Sequence, residues 1–283
     1  MKKKILIPTD FSKNAWNAIA YAASLYKDKA CAFYILNAYG SATYATGEMM
    51  LDAPGTTPFQ SEKRRSEIGL ENVLDMIDID GKNPKHTYTF ISESNNLLSA
   101  MQEVIKKKDI ELAVMGTKGA SDVENKFFGS NTIVIMEKLR KCPILGVPLD
   151  AQVFAIKEIV LPTSYKTHFK RKEIMHLVEI AQLHHAEVCV LHVSKKEGIT
   201  KELQENQVLL EECLDGASYS FHYVSVSNVA HSVKLFVESR GSDMIAFINK
   251  KHAFFDSVFT TPLVSELGMF SKVPLLVMHD MRN

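Results

Sequence analysis

The sequence predicts an α/β protein built of two tandem doubly wound sandwiches, each around a five-stranded parallel sheet, and three observations lead there. The chain has 283 residues, more than the roughly 100–200 residues of one typical domain. It is also written twice: KKKILIPTDFSKNAWNAIAYAASLY near the start is paralleled by KEIVLPTSYKTHFKRKEIMHLVEIAQLH from Lys157 onward. Finally, short runs rich in Val, Ile and Leu alternate with longer helix-period stretches. Near-continuous apolar runs suit strands covered by helices on both faces.

In the first half the strand candidates are KILIP, AFYILNA, KHTYTFI, ELAVMG and PILGVP. Helix candidates lie between them, over about 12–27, 60–78, 95–107 and 130–140. In the second half the strands fall near 156–161, 187–193, 219–226, 243–248 and 273–278. The β-α alternation implies right-handed crossovers and parallel sheets. Two domains, 1–149 and 155–283, are expected, joined near LDAQVFA by a linker short and apolar enough to keep them packed together.

Lys plus Arg balances Asp plus Glu at 33 each. No overall field therefore favours nucleic acid or an anionic membrane surface as a partner. The opening MKKKILIPTDFS reads as a first strand, since Pro8 and Asp10 end its apolar run below the length of a signal-peptide core. No window approaches the roughly 20 apolar residues of a spanning helix, and a cytoplasmic location is the default expectation. Cys31, Cys142, Cys189 and Cys213 are scattered, with no metal-ligand spacing, and read as buried thiols.

The stretch MGTKGASDVENKFFGSNT from Met115 carries the chemistry. Gly116 ends the fourth strand, on the rim where open α/β sheets bind ligands. Glycine permits positive φ and close backbone approach, so that successive N–H groups can face an anion. Ser130 and Asn131 open a helix whose N-terminus attracts phosphate. Asp10 stands on the same rim, where a carboxylate accepts from ribose hydroxyls or an adenine amine. Each feature taken singly is an ordinary turn or cap; together they describe the two ends of a nucleotide.

Gly116-x2-Gly119-x9-Gly129-Ser130, with Pro8-Thr9-Asp10 after the first strand, resembles the ATP-binding type of the universal stress protein family, and the duplicated layout resembles its tandem members. The resemblance implies that Asp10 binds the adenosine portion of ATP, with Pro8 and Thr9 shaping the pocket. It implies that backbone near Ala38 meets the adenine edge. Met115, Gly116, Thr117, Gly119, Gly129, Ser130 and Asn131 would hold ribose and phosphates, with or without Mg2+. It further implies pairing through the last strands, PILGVP and PLLVMH, within one chain, and leaves a homodimer of the whole chain open.

The second copy departs from this pattern. Ser164 replaces Asp10, and FINKKHAFFDSVFTTPLVSEL has no Gly-x2-Gly, with Phe254, Phe255 and Phe259 where the phosphate loop would be. ATP is not expected there, although Lys250, Lys251 and His252 leave another anionic ligand open. Residues 41–57 form a long insertion of the first half, read either as functional cover or as disorder. His184 and His185, and Lys106 to Lys108, read as helix-end caps. Trp16 and Phe11 read as helix-on-sheet packing.

The reading that leads is a stress-response nucleotide sensor or partner switch. A slow magnesium-dependent ATPase and a nucleotide-independent dimeric scaffold stand as alternatives. No GxxxxGK[ST] loop occurs, and no general base accompanies the glycines. A receiver-type phosphorylation site is excluded, because the third and fifth strands end in Ile91-Ser92 and Gly146-Val147-Pro148 rather than Asp and Lys.

Overall fold

The computed structural model describes residues 2–40, 57–118, 129–152, 155–166, 168–194, 200–225, 229–249 and 272–279. The first half runs β1 (Lys3–Pro8), α1 (Lys13–Leu25), β2 (Cys31–Tyr39), α2 (Pro58–Asp80), β3 (His86–Ser94), α3 (Leu97–Lys108), β4 (Leu112–Gly116), α4 (Ser130–Lys138) and β5 (Ile144–Val147). The second runs β6 (Glu158–Thr163), α5 (Arg171–His184), β7 (Glu187–Ser194), α6 (Lys201–Cys213), β8 (Ser218–Ser225), α7 (Val229–Arg240), β9 (Met244–Asn249) and β10 (Leu275–His279). Helices and strands fall within a few residues of the stretches that periodicity selects.

Local chemistry sets the helix ends. Ser12 caps α1 by accepting the Ala15 N–H at 3.2 Å. Thr57 and Gln60 form a reciprocal capping box at α2, with Pro58 at its first position, and Gly81 at φ 97° ends it. Asp109 closes α3 in the left-handed region, after the three lysines predicted to sit at that end.

The ten strands among the described residues form one sheet in the order β3-β2-β1-β4-β5-β10-β9-β6-β7-β8. Each half is thus a doubly wound five-stranded unit, as the alternation predicted, and the second is the mirror order of the first. The seam is the β5–β10 pair, antiparallel, with Gly146 facing Leu275 and Ile144 facing Val277. All other pairings are parallel. The apolar runs of the last strands therefore meet inside one chain.

Two hydrophobic layers cover the sheet. α1, α2, α5 and α6 pack one face, with Ile5, Ile7, Ile159 and Leu161 beneath them. α3, α4 and α7 pack the other, over Leu6, Val160 and Ile245. Strand positions alternate between the layers, which is why both faces need apolar residues. All four cysteines are buried thiols.

Polar ties cross between the halves. The Lys3 ammonium, only 2% exposed, lies 2.5 Å from the Glu179 carboxylate of α5, which also takes Lys29. His176 Nδ1 is 3.3 Å from the Lys3 ammonium. Burial opposes ionisation of Glu179, but hydrogen bonds from His176, Lys29 and Lys3 outweigh it and hold the carboxyl far below its ordinary range. His184, predicted as a helix-end group, donates Nε2–H to the Leu25 carbonyl of α1 at 2.9 Å. Asn17 ties the carbonyls of Pro148 and Ala151 to α1, at 2.9 and 3.1 Å.

Candidate functional site: the carboxyl rim of the first half

β1 lies between β2 and β4, so the order reverses there and the carboxyl ends of these strands flank a crevice. The backbone beyond β1 is held in an unusual shape. Phe11 adopts φ 65°, uncommon for an aromatic residue, with its N–H donated to Thr9 Oγ1 at 3.0 Å. The Ser12 N–H is donated to Asp10 Oδ1 at 3.1 Å. Asp10 is exposed on the rim, whereas Thr9 is buried. Asn37, at the end of β2, donates to the Thr9 carbonyl at 2.7 Å, and Ala38 follows it, half-buried.

The glycine at the end of β4 has a packing cause. A Cβ on Gly116 would stand 2.8 Å from the Asn14 carbonyl oxygen and 2.9 Å from its carbon. α1 therefore approaches β4 more closely than any side chain allows. Positive φ, expected from the glycines, is not used at Gly116, and Gly129 has φ −72°. Glycine serves here by lacking bulk rather than by turning the chain.

Both ends of the loop are then clamped. The Thr117 N–H reaches the Val147 carbonyl at 3.0 Å, and the Gly129 N–H reaches the Thr117 carbonyl at 2.5 Å. Thr132 Oγ1 donates to the Gly116 carbonyl at 3.0 Å, and Asn14 Nδ2 to the Lys118 carbonyl at 3.1 Å. Gly119 and residues 120–128 lie outside the described residues. α4 begins at Ser130, as predicted, with Gly129 as its cap. Since that cap has no side chain, the first-turn N–H groups of Ser130, Asn131 and Thr132 receive no side-chain oxygen from it.

The structure thus brings Gly116, Thr117, Gly129 and the start of α4 at Ser130 and Asn131 together at the end of β4, with Pro8 closing the adjoining strand and Thr9 and Asp10 just beyond it. Met115 differs: its side chain belongs to the core below the rim. Phe11 also departs from expectation, since it packs on α2 rather than on the sheet, where a Cβ on Gly69 would meet its ring at 2.4 Å. Asn14, Asn37 and Thr132 hold the rim in place but are not among the predicted site residues. Asn37 interrupts the apolar run of β2 and Asn14 is a polar residue on a buried helix face, so both carried a visible signal.

The second half repeats the backbone and changes the chemistry. Tyr165 has φ 54° and donates its N–H to Thr163 Oγ1 at 3.0 Å, matching Phe11 and Thr9. Its ring is fully buried and stacks on His192, centroids 4.9 Å apart, whereas Phe11 is 37% exposed. His192 replaces Asn37 as the partner of the strand-end carbonyl, at 3.1 Å from Thr163 O. Its pKa is lowered, chiefly by burial and against the pull of that carbonyl. Residues 250–271, which hold the predicted phenylalanine-rich loop, lie outside the described residues.

Among the described residues no group of His, Cys, Asp or Glu is placed to hold a metal ion, and no helix is long and apolar enough to cross a membrane. No curated protein matches the chain. Among solved structures, a universal stress protein from Archaeoglobus fulgidus DSM 4304 superposes with TM-score 0.66 at 15% identity, covering 97% of this chain and 95% of that one. A putative universal stress protein from Pseudomonas aeruginosa UCBPP-PA14 gives 0.62 at 9% identity, covering 98% and 93%. The cytoplasmic domain of a prokaryotic cation chloride cotransporter gives 0.55 at 11%, covering 99% and 96%. At such identities the likeness is one of fold alone. Residues 1–148 match the sequence profile of the Universal stress protein family, and with more than half its length so matched, the chain belongs to that family.

Proposed function

We propose that the first half, residues 1–149, binds ATP at the carboxyl rim and acts as a nucleotide-dependent sensor or partner switch, with little or no turnover. The observation that carries this reading is the junction of β4 and α4. Gly116 lets α1 close on the strand, the loop is clamped at both ends, and α4 opens with a cap that has no side-chain oxygen to offer. An anion there meets main-chain N–H groups and the positive end of the helix dipole. Asp10, exposed just beyond the neighbouring strand β1, has the chemistry to accept from ribose hydroxyls. With Mg2+ or without it, phosphates would lie at Gly129, Ser130 and Asn131, and the adenine edge against the backbone at Ala38.

The second half, residues 155–283, is read as structural or partner-facing and not as a second ATP site. Tyr165 sits in the core where its counterpart Phe11 lines an open rim, and Ser164 supplies no carboxylate. The β5–β10 seam supports the further reading that intramolecular pairing serves in place of a dimer of single units.

Calorimetric titration of ATP with magnesium into protein freed of nucleotide, beside Asp10→Ala, tests the assignment. One site weakened by the substitution is expected. Heats indistinguishable from dilution would overturn it, and the sheet seam alone would then recommend a scaffold role.

A further inference from the structure

At the amino ends of the strands, on the rim opposite the glycine loop, α1 and α2 part around a cavity of about 210 Å3. That is smaller than the roughly 300–1,000 Å3 of drug-sized sites and suits a ligand of about one ring. Trp16, Ile19, Ala23 and Ile77 give it apolar walls, and Tyr88, Asp80 and His86 are among the other residues that line it. We propose that this cavity binds a small organic cation, an ammonium group carried by a single aromatic ring.

The charge pattern gives the sign. Among the described residues Asp80 is the one acidic residue of the lining, and neither Lys nor Arg contributes to it. Two of the nearby lysines are turned to other partners: Lys82 to Asp78, and Lys85 to Asp28 at 3.7 Å. α1 and α2 both end at this rim, and neither has a basic residue in its last turn, so two helix C-termini add partial negative charge. On the other side of Trp16 a separate cavity of about 310 Å3 includes Lys13 and, among the described residues, no acid. The preference for a cation therefore belongs to one side of Trp16 only.

His86 points to a hydrogen-bond donor in the ligand. It is 7% exposed, and its Nε2 lies 3.1 Å from the Tyr26 carbonyl. A carbonyl only accepts, so in the neutral ring Nε2 carries the proton and Nδ1 presents a lone pair. That Nδ1 is buried and has no partner, a costly condition for a polar atom. His86 lines the cavity, and a ligand N–H that reached Nδ1 would satisfy it. Aromatic residues supply the remaining attraction: Trp16 and Tyr88 border the cavity, and Phe33 stacks on Tyr88 at 5.3 Å and meets His86 edge-on at 5.0 Å, fixing both.

Trp16 is the single tryptophan of the chain, so its fluorescence reports on the cavity directly. In low salt and without nucleotide, phenethylammonium is titrated beside 2-phenylethanol and phenylacetate. A saturable change is expected for the ammonium ion, with a Kd on the order of 1 mM. The alcohol should bind about tenfold more weakly, and the carboxylate should give no saturable change. Asp80→Asn, at an exposed position, should weaken the ammonium ion about threefold and leave the alcohol unchanged. Ala23→Leu, which fills the space from α1, should abolish the response. Equal affinities for the three probes, an ammonium response indifferent to both substitutions, or no saturable response would overturn the proposal. None of these outcomes bears on ATP at the opposite rim.

Discussion

Gly116 and Glu179 each hold a position that a neighbouring group dictates. At Gly116 the constraint is the Asn14 backbone, which cannot move aside as a flexible side-chain tip could. Gly116→Ala should lower stability by about 1–3 kcal/mol, read as a reduced urea midpoint, and larger residues should cost more. A Gly116 variant is therefore a poor control for ligand binding, because it disturbs the α1–β4 contact first. Glu179 is the shared partner of two lysines, one of them almost wholly buried. Glu179→Gln leaves the Lys3 charge without its counter-ion and should cost about 3–5 kcal/mol. Because the folded carboxyl titrates below its unfolded value, its contribution is complete above the unfolded pKa of about 4.3. It is lost as pH falls further toward the folded value. Wild type should thus lose stability below about pH 4 more steeply than Glu179→Gln, as measured by urea unfolding across that range.

Among the elements, the last strands and α4 carry the most weight. β5 and β10 are buried along their length and join the halves by antiparallel pairing. Leu276→Lys would place a charge opposite Leu145 in that seam and should cost more than about 3 kcal/mol, seen as a large fall in the unfolding midpoint. In α4 the Thr132 hydroxyl fastens the first turn to Gly116. Thr132→Val should cost about 1 kcal/mol and weaken ATP binding by calorimetry, because it loosens the helix end assigned to the phosphates. At this scale the sequence was most legible. Buried strands announced themselves as apolar runs, and periodicity put the start of α2 near 60, two residues after the Pro58 at which its capping box begins it. The close approach at Gly116 was not legible, since a glycine needed for want of bulk and one needed for positive φ look alike in a sequence. The tie from Lys3 to Glu179 was equally hidden, because it joins residues 176 positions apart.

At the scale of the whole molecule, one sheet of ten strands follows from writing a five-stranded unit twice and joining the copies through their last strands. The internal repeat disclosed the two copies, and the family resemblance supplied the expectation that PILGVP would meet PLLVMH. Their divergence is clearest at matched positions. Phe11 and Tyr165 share a positive φ and a threonine anchor, yet one ring lies at an open rim and the other in the core. Ser164 in place of Asp10 was readable from the repeat; the burial of Tyr165 was not, since it depends on the stack with His192 from the neighbouring strand. On the proposed function, two halves of one architecture therefore take unequal roles. The most direct test is the stoichiometry of ATP with magnesium, determined by calorimetry on nucleotide-free protein. One equivalent per chain, weakened at least about tenfold by Asp10→Ala, is the predicted result; two equivalents, or none, would contradict it.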